Sequence, residues 1–342
     1  MMRCLQLAEM GAGQVSPNPL VGAVLVHVDR IIGEGWHQGF GGPHAEVNAL
    51  RSVSDEDSRL IPLSTLYVSL EPCAHHGKTP PCADMIIASG IRRVVIGCED
   101  PFPAVNGKGI EKMQEAGIDV TCGVLKSEAE WMNRRFLTFQ RERRPYIILK
   151  WAQTVDGFMG RVAERIFITQ DATNRLVHRW RTEEDAILVG TNTALLDDPQ
   201  LTSRHWPGRD PLRMVIDRKD RLPSDLRIFC DGGPVVVFHE GPEMVKIQVR
   251  YMHLDPAVET ITQILEHCFR LGVQSLIVEG GAAILQSFID RDFWDEMRII
   301  TNLEMELKAG IQAPVLPSLV GAETFILGHD RVLVGFRRQP LR

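Results

Sequence analysis

The sequence predicts an α/β protein of two domains, on three observations. At 342 residues the chain is long for a single core and suits two. In both halves, short β-branched and apolar runs alternate with stretches that are apolar at helical spacing, the pattern of helices layered on a sheet. Near the middle, the charge run Arg141-Glu142-Arg143-Arg144 is followed by Pro145, and a fresh apolar strand opens at Tyr146. The expected domains are therefore 1–144 and 145–342.

Composition narrows the function classes. A hydrophobic content of 44% with 24% charged residues is that of an ordinary globular protein. A net charge of −6 lacks the basic footprint that nucleic-acid binding needs. No apolar run approaches membrane-spanning length, and the N-terminus carries no apolar signal core. The seven cysteines are odd in number and scattered, which argues against a secreted disulfide framework. The expected setting is the cytoplasm, with neither nucleic acid nor membrane as partner.

In the first half, residues 2–10 read as a short helix stopped by Gly11 and Gly13, and Ser16-Pro17-Asn18-Pro19 as a turn. Residues 21–28 form an apolar strand, and 30–36 its hairpin partner. A helix is expected over 44–54, a strand over 65–70, and a helix from Cys82 to a stop at Gly90, with Pro80-Pro81 before it. A buried strand (92–98), a helix (107–117), a short strand (118–122) and one charged helix (127–143) complete the domain.

Between these elements lies a set of residues that makes a chemical proposal. Pro43-His44-Ala45-Glu46 is followed, after a long gap, by Pro72-Cys73 and by Cys82. One nitrogen and two sulfur ligands hold zinc and leave a fourth position for water, which is the layout of a catalytic site. The metal lowers the pKa of that water toward neutrality. Glu46, close to a ligand without being one, can carry protons from water to a leaving group. The order His-x-Glu then Pro-Cys then Cys matches the signature of zinc nucleobase deaminases, except that eight residues separate Cys73 from Cys82 where two are usual. Helix N-termini favour the thiolate that a metal needs. Other readings are a Cys73–Cys82 disulfide, disfavoured in a reducing cytosol, and His75 or His76 as ligand in place of His44. A fourth protein ligand would make the zinc structural. Asn18, held between two prolines, has an amide that both donates and accepts, which suits a pyrimidine edge, though a plain turn residue fits the spacing as well.

In the second half, the strand opening at Tyr146 is expected to end in a turn at Gln153-Thr154-Val155-Asp156-Gly157. A helix over 173–182, strands over 186–189, 212–217 and 235–239, and an amphipathic helix over 256–271 follow. Asp197 to Arg204 reads as a polar loop. Leu276-Ile277-Val278-Glu279-Gly280-Gly281 and the run after it read as strand, glycine turn and helix, a place where an anion can meet free backbone N–H groups. No G-x-G-x-x-G follows an early strand, so a Rossmann fingerprint is absent.

Taken together, Pro17-Asn18-Pro19-x-Val21-Gly22, His44-Ala45-Glu46 and Glu71-Pro72-Cys73-x-His75-x-Gly77-x-Thr79-Pro80-Pro81-Cys82 resemble the bifunctional riboflavin-biosynthesis deaminase/reductase family. The resemblance continues through Lys150-x-x-x-Thr154-x-Asp156-Gly157, Asp185-Ala186-Ile187-Leu188-Val189-Gly190, Asp197-Asp198-Pro199-x-Leu201-Thr202-x-Arg204 and Val278-Glu279-Gly280-Gly281. It implies a cytidine-deaminase-like α/β/α layered domain and a dihydrofolate-reductase-like α/β domain. It implies zinc on His44, Cys73 and Cys82, one ion per chain, with Glu46 as proton shuttle and Asn18 on the pyrimidine. In the second domain it implies substrate contacts from Arg181, Leu201, Arg204 and Glu279, with Lys150 and Thr169 beside the ribose. NADPH would fall against Ala152, Phe167, Thr193, Asp197 and Gly281. The implied substrate is a phosphorylated pyrimidine, and the family is often oligomeric. One stretch departs: Arg165-Ile166-Phe167-Ile168-Thr169 stands where the family has Gly-x-Ser-x-Trp-Ile-Thr, so Phe167 lacks an indole donor. A chain whose second half has become a non-catalytic binding module would also explain that departure.

Overall fold

The computed structural model describes residues 1–74, 80–103, 105–162 and 164–338. Among the described residues the chain divides into two compact units, Met1–Glu142 and 143–338.

The first unit runs α1 (Met2–Glu9), β1 (Gly22–His27), β2 (Arg30–Trp36), α2 (Ala45–Arg51), β3 (Thr65–Leu70), α3 (Cys82–Ala88), β4 (Arg93–Cys98), α4 (Lys108–Glu115), β5 (Asp119–Cys122), α5 (Lys126–Met132) and α6 (Arg134–Glu142). Its sheet has the order β2-β1-β3-β4-β5. The hairpin β1–β2 and the pair β1–β3 are antiparallel, whereas β3, β4 and β5 run parallel. Parallel neighbours need a crossover, and α3 and α4 supply the two. Leu25, Leu66, Val68, Ile86, Val94 and Ile96 fill the core between sheet and helices. Helices sit close to the sheet where glycine allows it: a Cβ on Gly22 would collide with the Cys4 carbonyl of α1. Because β3 and β4 are parallel, the segments that follow them, beginning at Glu71 and at Glu99, leave the same edge of the sheet.

The single helix expected over 127–143 is two helices, broken at Asn133. The Asn133 side chain is buried and pairs with Leu20 at both ends, accepting from its N–H at 2.8 Å and donating to its carbonyl at 2.9 Å. A residue bound sideways to another segment ends the helical run there.

The second unit runs β6 (Tyr146–Thr154), β7 (Phe158–Gly160), α7 (Asp171–Glu183), β8 (Ala186–Gly190), α8 (Thr191–Asp197), β9 (Leu212–Ile216), α9 (Arg227–Cys230), β10 (Val235–His239), β11 (Met244–Lys246), β12 (Val249–His253), α10 (Thr260–Arg270), β13 (Ser275–Val278), α11 (Ala282–Asp290), β14 (Glu296–Asn302), β15 (Ile311–Gln312), β16 (Val320–Leu327) and β17 (Asp330–Phe336). The large sheet has the order β11-β12-β10-β9-β8-β13-β6-β14-β17-β16. Its middle, from β12 to β14, is parallel, and an antiparallel strand or pair closes each edge. The parallel strands β8, β10 and β13 are buried on both faces, as their unbroken apolar runs require. β7 and β15 form a small separate pair.

Several expected boundaries move. The first strand continues through Gln153 to Thr154, because β14 pairs with it along its whole length. The helix expected over 256–271 begins at Thr260, where Glu259 caps it by accepting from the Thr262 N–H at 2.7 Å. Asp197, expected in a loop, ends α8, and Leu201, Thr202 and Ser203 are buried. Among the described residues no helix is long and apolar enough to cross a membrane.

Candidate active sites

In the first unit the site forms where α2 and α3 begin. His44 is the N-cap of α2, Glu46 lies in its first turn, and Cys82 is the first residue of α3. Cys73 follows β3 by three residues, and its sulfur accepts from the Cys82 N–H at 3.3 Å. The ligand atoms of His44, Cys73 and Cys82 all lie within 4.8 Å of one another. His44 Nδ1 is 3.3 Å from the Cys82 Sγ and 3.6 Å from the Cys73 Sγ. Zinc bonded tetrahedrally to nitrogen and sulfur sets such ligands about 3.5 Å apart, so the three residues fit that ion. It is the one such cluster among the described residues. His75 and His76, the other ligand candidates, lie outside the described residues.

The electrostatics agree with metal chemistry. A hydrogen bond from Cys82 holds the Cys73 thiol down at about 4, and the same bond pushes Cys82 up. The pair therefore shares one proton, which a dication would displace. The bond to Cys73 also raises His44. Glu46 is 3% exposed, and burial raises its carboxyl against the pull of His44. A carboxyl with raised proton affinity, beside the ligands and not among them, is suited to moving a proton.

Asn18 is fixed by a residue that carried no sequence signal. Its Nδ2 lies 2.9 Å from His37 Nε2, and His37 Nδ1 meets the Pro43 carbonyl at 3.0 Å, one residue before His44. The His37 and His44 rings meet edge-on at 5.5 Å. Burial lowers the pKa of His37, so the ring bridges Asn18 and Pro43 as a neutral donor and acceptor. Glu71, which precedes Pro72-Cys73, is also buried. Its carboxylate accepts from the N–H groups of Asp100, Gly107, Gly109 and Ile110, tying the chain before Cys73 to the start of α4.

In the second unit, Lys150 on β6, Arg181 on α7 and Glu279 after β13 converge. The Glu279 carboxylate accepts from Arg181 at 3.0 and 2.8 Å and from Lys150 at 3.3 Å. Arg181 also donates to the Thr202 carbonyl at 2.9 Å, which brings in the segment of Leu201 and Arg204. Leu201 has its side chain in the core and a left-handed backbone (φ 57°), so its backbone is the part available to a ligand. Burial lowers the pKa of Lys150, opposed by Glu279, and burial raises Asp197, opposed by Arg165. Gly281 is the N-cap of α11 with no side-chain cap, and a Cβ there would stand 3.2 Å from the Thr193 hydroxyl, so Gly281 and Thr193 are neighbours. The free N–H groups of a nine-residue helix fit the phosphates of a dinucleotide. Ala152 lies farther along β6, past Lys150. Thr169 stands at the other end of α7 from Arg181, with its hydroxyl donated to Asn174 at 2.7 Å. Phe167 is 73% exposed, with the Arg165 guanidinium 4.8 Å over its ring.

Comparison with known proteins covers both units. Residues 1–98 match the cytidine and deoxycytidylate deaminase zinc-binding region, and residues 145–302 match the RibD C-terminal domain. The riboflavin biosynthesis protein RibD of Aquifex aeolicus is 40% identical over 305 residues, covering 87% of this chain and 84% of that protein. The RibD protein of Bacillus amyloliquefaciens is 37% identical over 335 residues, covering 95% and 88%. The crystal structure of a diaminohydroxyphosphoribosylaminopyrimidine deaminase/5-amino-6-(5-phosphoribosylamino)uracil reductase from Thermotoga maritima superposes with a TM-score of 0.89 at 36% identity, covering 98% of this chain and 97% of that one.

Proposed function

The chain belongs to the RibD family of bifunctional riboflavin-biosynthesis deaminase/reductases, and from that premise we propose how its residues divide two reactions between two units. It is a zinc-dependent deaminase and an NADPH-dependent reductase. The first reaction hydrolyses the exocyclic 2-amino group of 2,5-diamino-6-(5-phosphoribosylamino)pyrimidin-4-one. The second reduces the opened ribose of the product to ribityl.

In the deaminase unit His44, Cys73 and Cys82 would hold zinc, which when bound would supply a Lewis acid that lowers the pKa of water, so that hydroxide is available to attack the carbon bearing the amino group. Glu46 takes the proton of the attacking water and passes it to the departing amine, so that ammonia leaves. Asn18, steadied by His37, holds the pyrimidine edge. In the reductase unit NADPH supplies the hydride that reduces C1′. Lys150, Arg181, Leu201, Arg204 and Glu279 hold the sugar phosphate, whereas Thr169, a helix length from Arg181, is out of reach of that group. Guanidinium groups suit phosphate because they grip it with paired hydrogen bonds. Ala152, Phe167, Thr193, Asp197 and Gly281 face NADPH. The match of residues 145–302 to the RibD C-terminal domain, and identity to RibD proteins that runs through both halves, speak against a non-catalytic second half.

Seven free cysteines support a reducing, cytoplasmic setting. Self-association is part of the proposal. β16 is an edge strand with most of its residues exposed, Phe325 and Ile326 among them, and exposed apolar edges favour pairing. Light scattering on the purified chain tests that.

The convergence of His44, Cys73 and Cys82 beside buried Glu46 carries the deaminase assignment. Glu46→Gln should lower ammonia release on the order of 10²–10⁴-fold. It should leave one zinc per chain and undiminished NADPH oxidation on the deaminated substrate. Loss of zinc from that variant would make Glu46 a ligand and end its assignment as the shuttle.

A further inference from the structure

We propose that His178 binds the phosphate of the phosphorylated pentose in the reductase unit, an inference that rests on the site reading given above. His178 lies on α7 three residues before Arg181, so the two share a helix face. Its side chain is 5% exposed, and its ring meets that of His205 edge-on at 4.6 Å. His178 Nδ1 is sealed from solvent and has no hydrogen-bond partner among the described residues. A buried nitrogen in that state is costly until something bound in the site meets it.

The surroundings identify the missing partner as an anion. Arg204, the neighbour of His205, feels the charges of Arg181, Arg227 and Arg165. Arg181 is committed to Glu279 and to the Thr202 carbonyl. Arg204 has no ion pair among the described residues, whereas Arg165 feels the charge of Asp197 and the Arg227 N–H donates to the Asp198 carboxylate at 2.7 Å. Four arginines near one another outnumber the carboxylates among them, Asp197, Asp198 and Glu279, and such an excess of positive charge favours a bound anion. Burial, with the charges of Arg181 and Arg204, holds His178 down at about 4, so its ring is neutral at working pH. With its proton on Nδ1, a neutral ring donates to a phosphate oxygen without adding to the repulsion among the arginines.

Ribose 5-phosphate and inorganic phosphate titrated calorimetrically into the full chain test this. His178→Phe keeps a ring against His205 and removes both nitrogens, whereas the amide of His178→Asn reaches the Nδ1 position. We expect His178→Phe to weaken both ligands about tenfold or more, with His178→Asn close to the parent chain and thermal midpoints preserved. Arg204→Ala serves as the control for the site. Loss of binding in Arg204→Ala with none in His178→Phe overturns the His178 assignment and leaves the site reading standing. Equal loss in His178→Phe and His178→Asn makes the ring a packing element and also overturns the assignment, as does weakening of ribose 5-phosphate with inorganic phosphate unaffected. No binding by the parent chain, or no effect of Arg204→Ala, overturns the site reading itself, and this inference with it.

Discussion

Glu279 is a carboxylate with two cations on it. Burial alone would push its pKa up, yet Arg181 and Lys150 hold it at about 2. The side chains of all three are about one-tenth exposed, so solvent screens the attraction little. The folded chain therefore binds fewer protons here than the unfolded chain does between the ordinary carboxyl value near 4.5 and about 2. The stabilisation is complete above 4.5 and is lost as the pH falls toward 2, on the order of 3 kcal/mol in all. Glu279→Gln removes the titrating group. Urea unfolding of the two proteins at a series of pH values should show their stability difference narrowing below pH 4.5. A difference that stays constant from pH 7 to pH 3.5 would mean that the cations do not act on this carboxylate.

At the scale of elements, Asn133 links the break between α5 and α6 to the turn that carries Asn18. Its two bonds to Leu20 fix the chain two residues after Asn18 and just before β1. Asn133→Ala leaves the Leu20 N–H and carbonyl without those partners, at a cost of about 1–3 kcal/mol for such a buried group. The KM of deamination should rise with kcat little changed, because Asn18 is proposed to hold the pyrimidine and to take no part in the proton transfers. Steady-state ammonia release over a range of substrate concentrations separates the two constants. Nothing in the sequence marks Asn133, an isolated amide in a charged run. By contrast, the convergence of His44, Cys73 and Cys82 was legible because metal chemistry demands His, Cys and Cys in order, and the alternating strands and helices of both units were legible from apolar periodicity. β14 was not legible, although it pairs with β6 at the middle of the large sheet. Its sequence carries Glu296 and Arg298, charges that interrupt the apolar run. In the fold Arg298 lies 2.6 Å from Glu296 and 3.1 Å from Glu184, over the face of Trp180, and the Tyr146 hydroxyl donates to Glu296. Charges that neutralise one another inside a sheet erase the apolar pattern on which sequence reading depends. The Lys150–Glu279–Arg181 cluster escapes periodicity for a related reason: its members come from three separated segments, and only the family motifs single them out.

For the whole molecule, the two units have separate cores, one around Leu25, Leu66 and Ile96 and the other around Trp151, Phe238 and Phe288. The metal cluster lies wholly in the first, and the Lys150–Glu279–Arg181 cluster wholly in the second. Zinc bound to the folded first unit should stabilise it by mass action, since the three residues proposed to hold it come together only on folding. Chelation should therefore lower the unfolding temperature of the first unit and leave that of the second in place, turning calorimetric unfolding into two resolved transitions. It should abolish ammonia release while NADPH oxidation on the deaminated substrate continues. Adding zinc back should restore ammonia release and the higher transition together. If chelation lowered both transitions and stopped both reactions, the stability of the second unit would depend on the metal of the first, and the two cores could not be treated as independent.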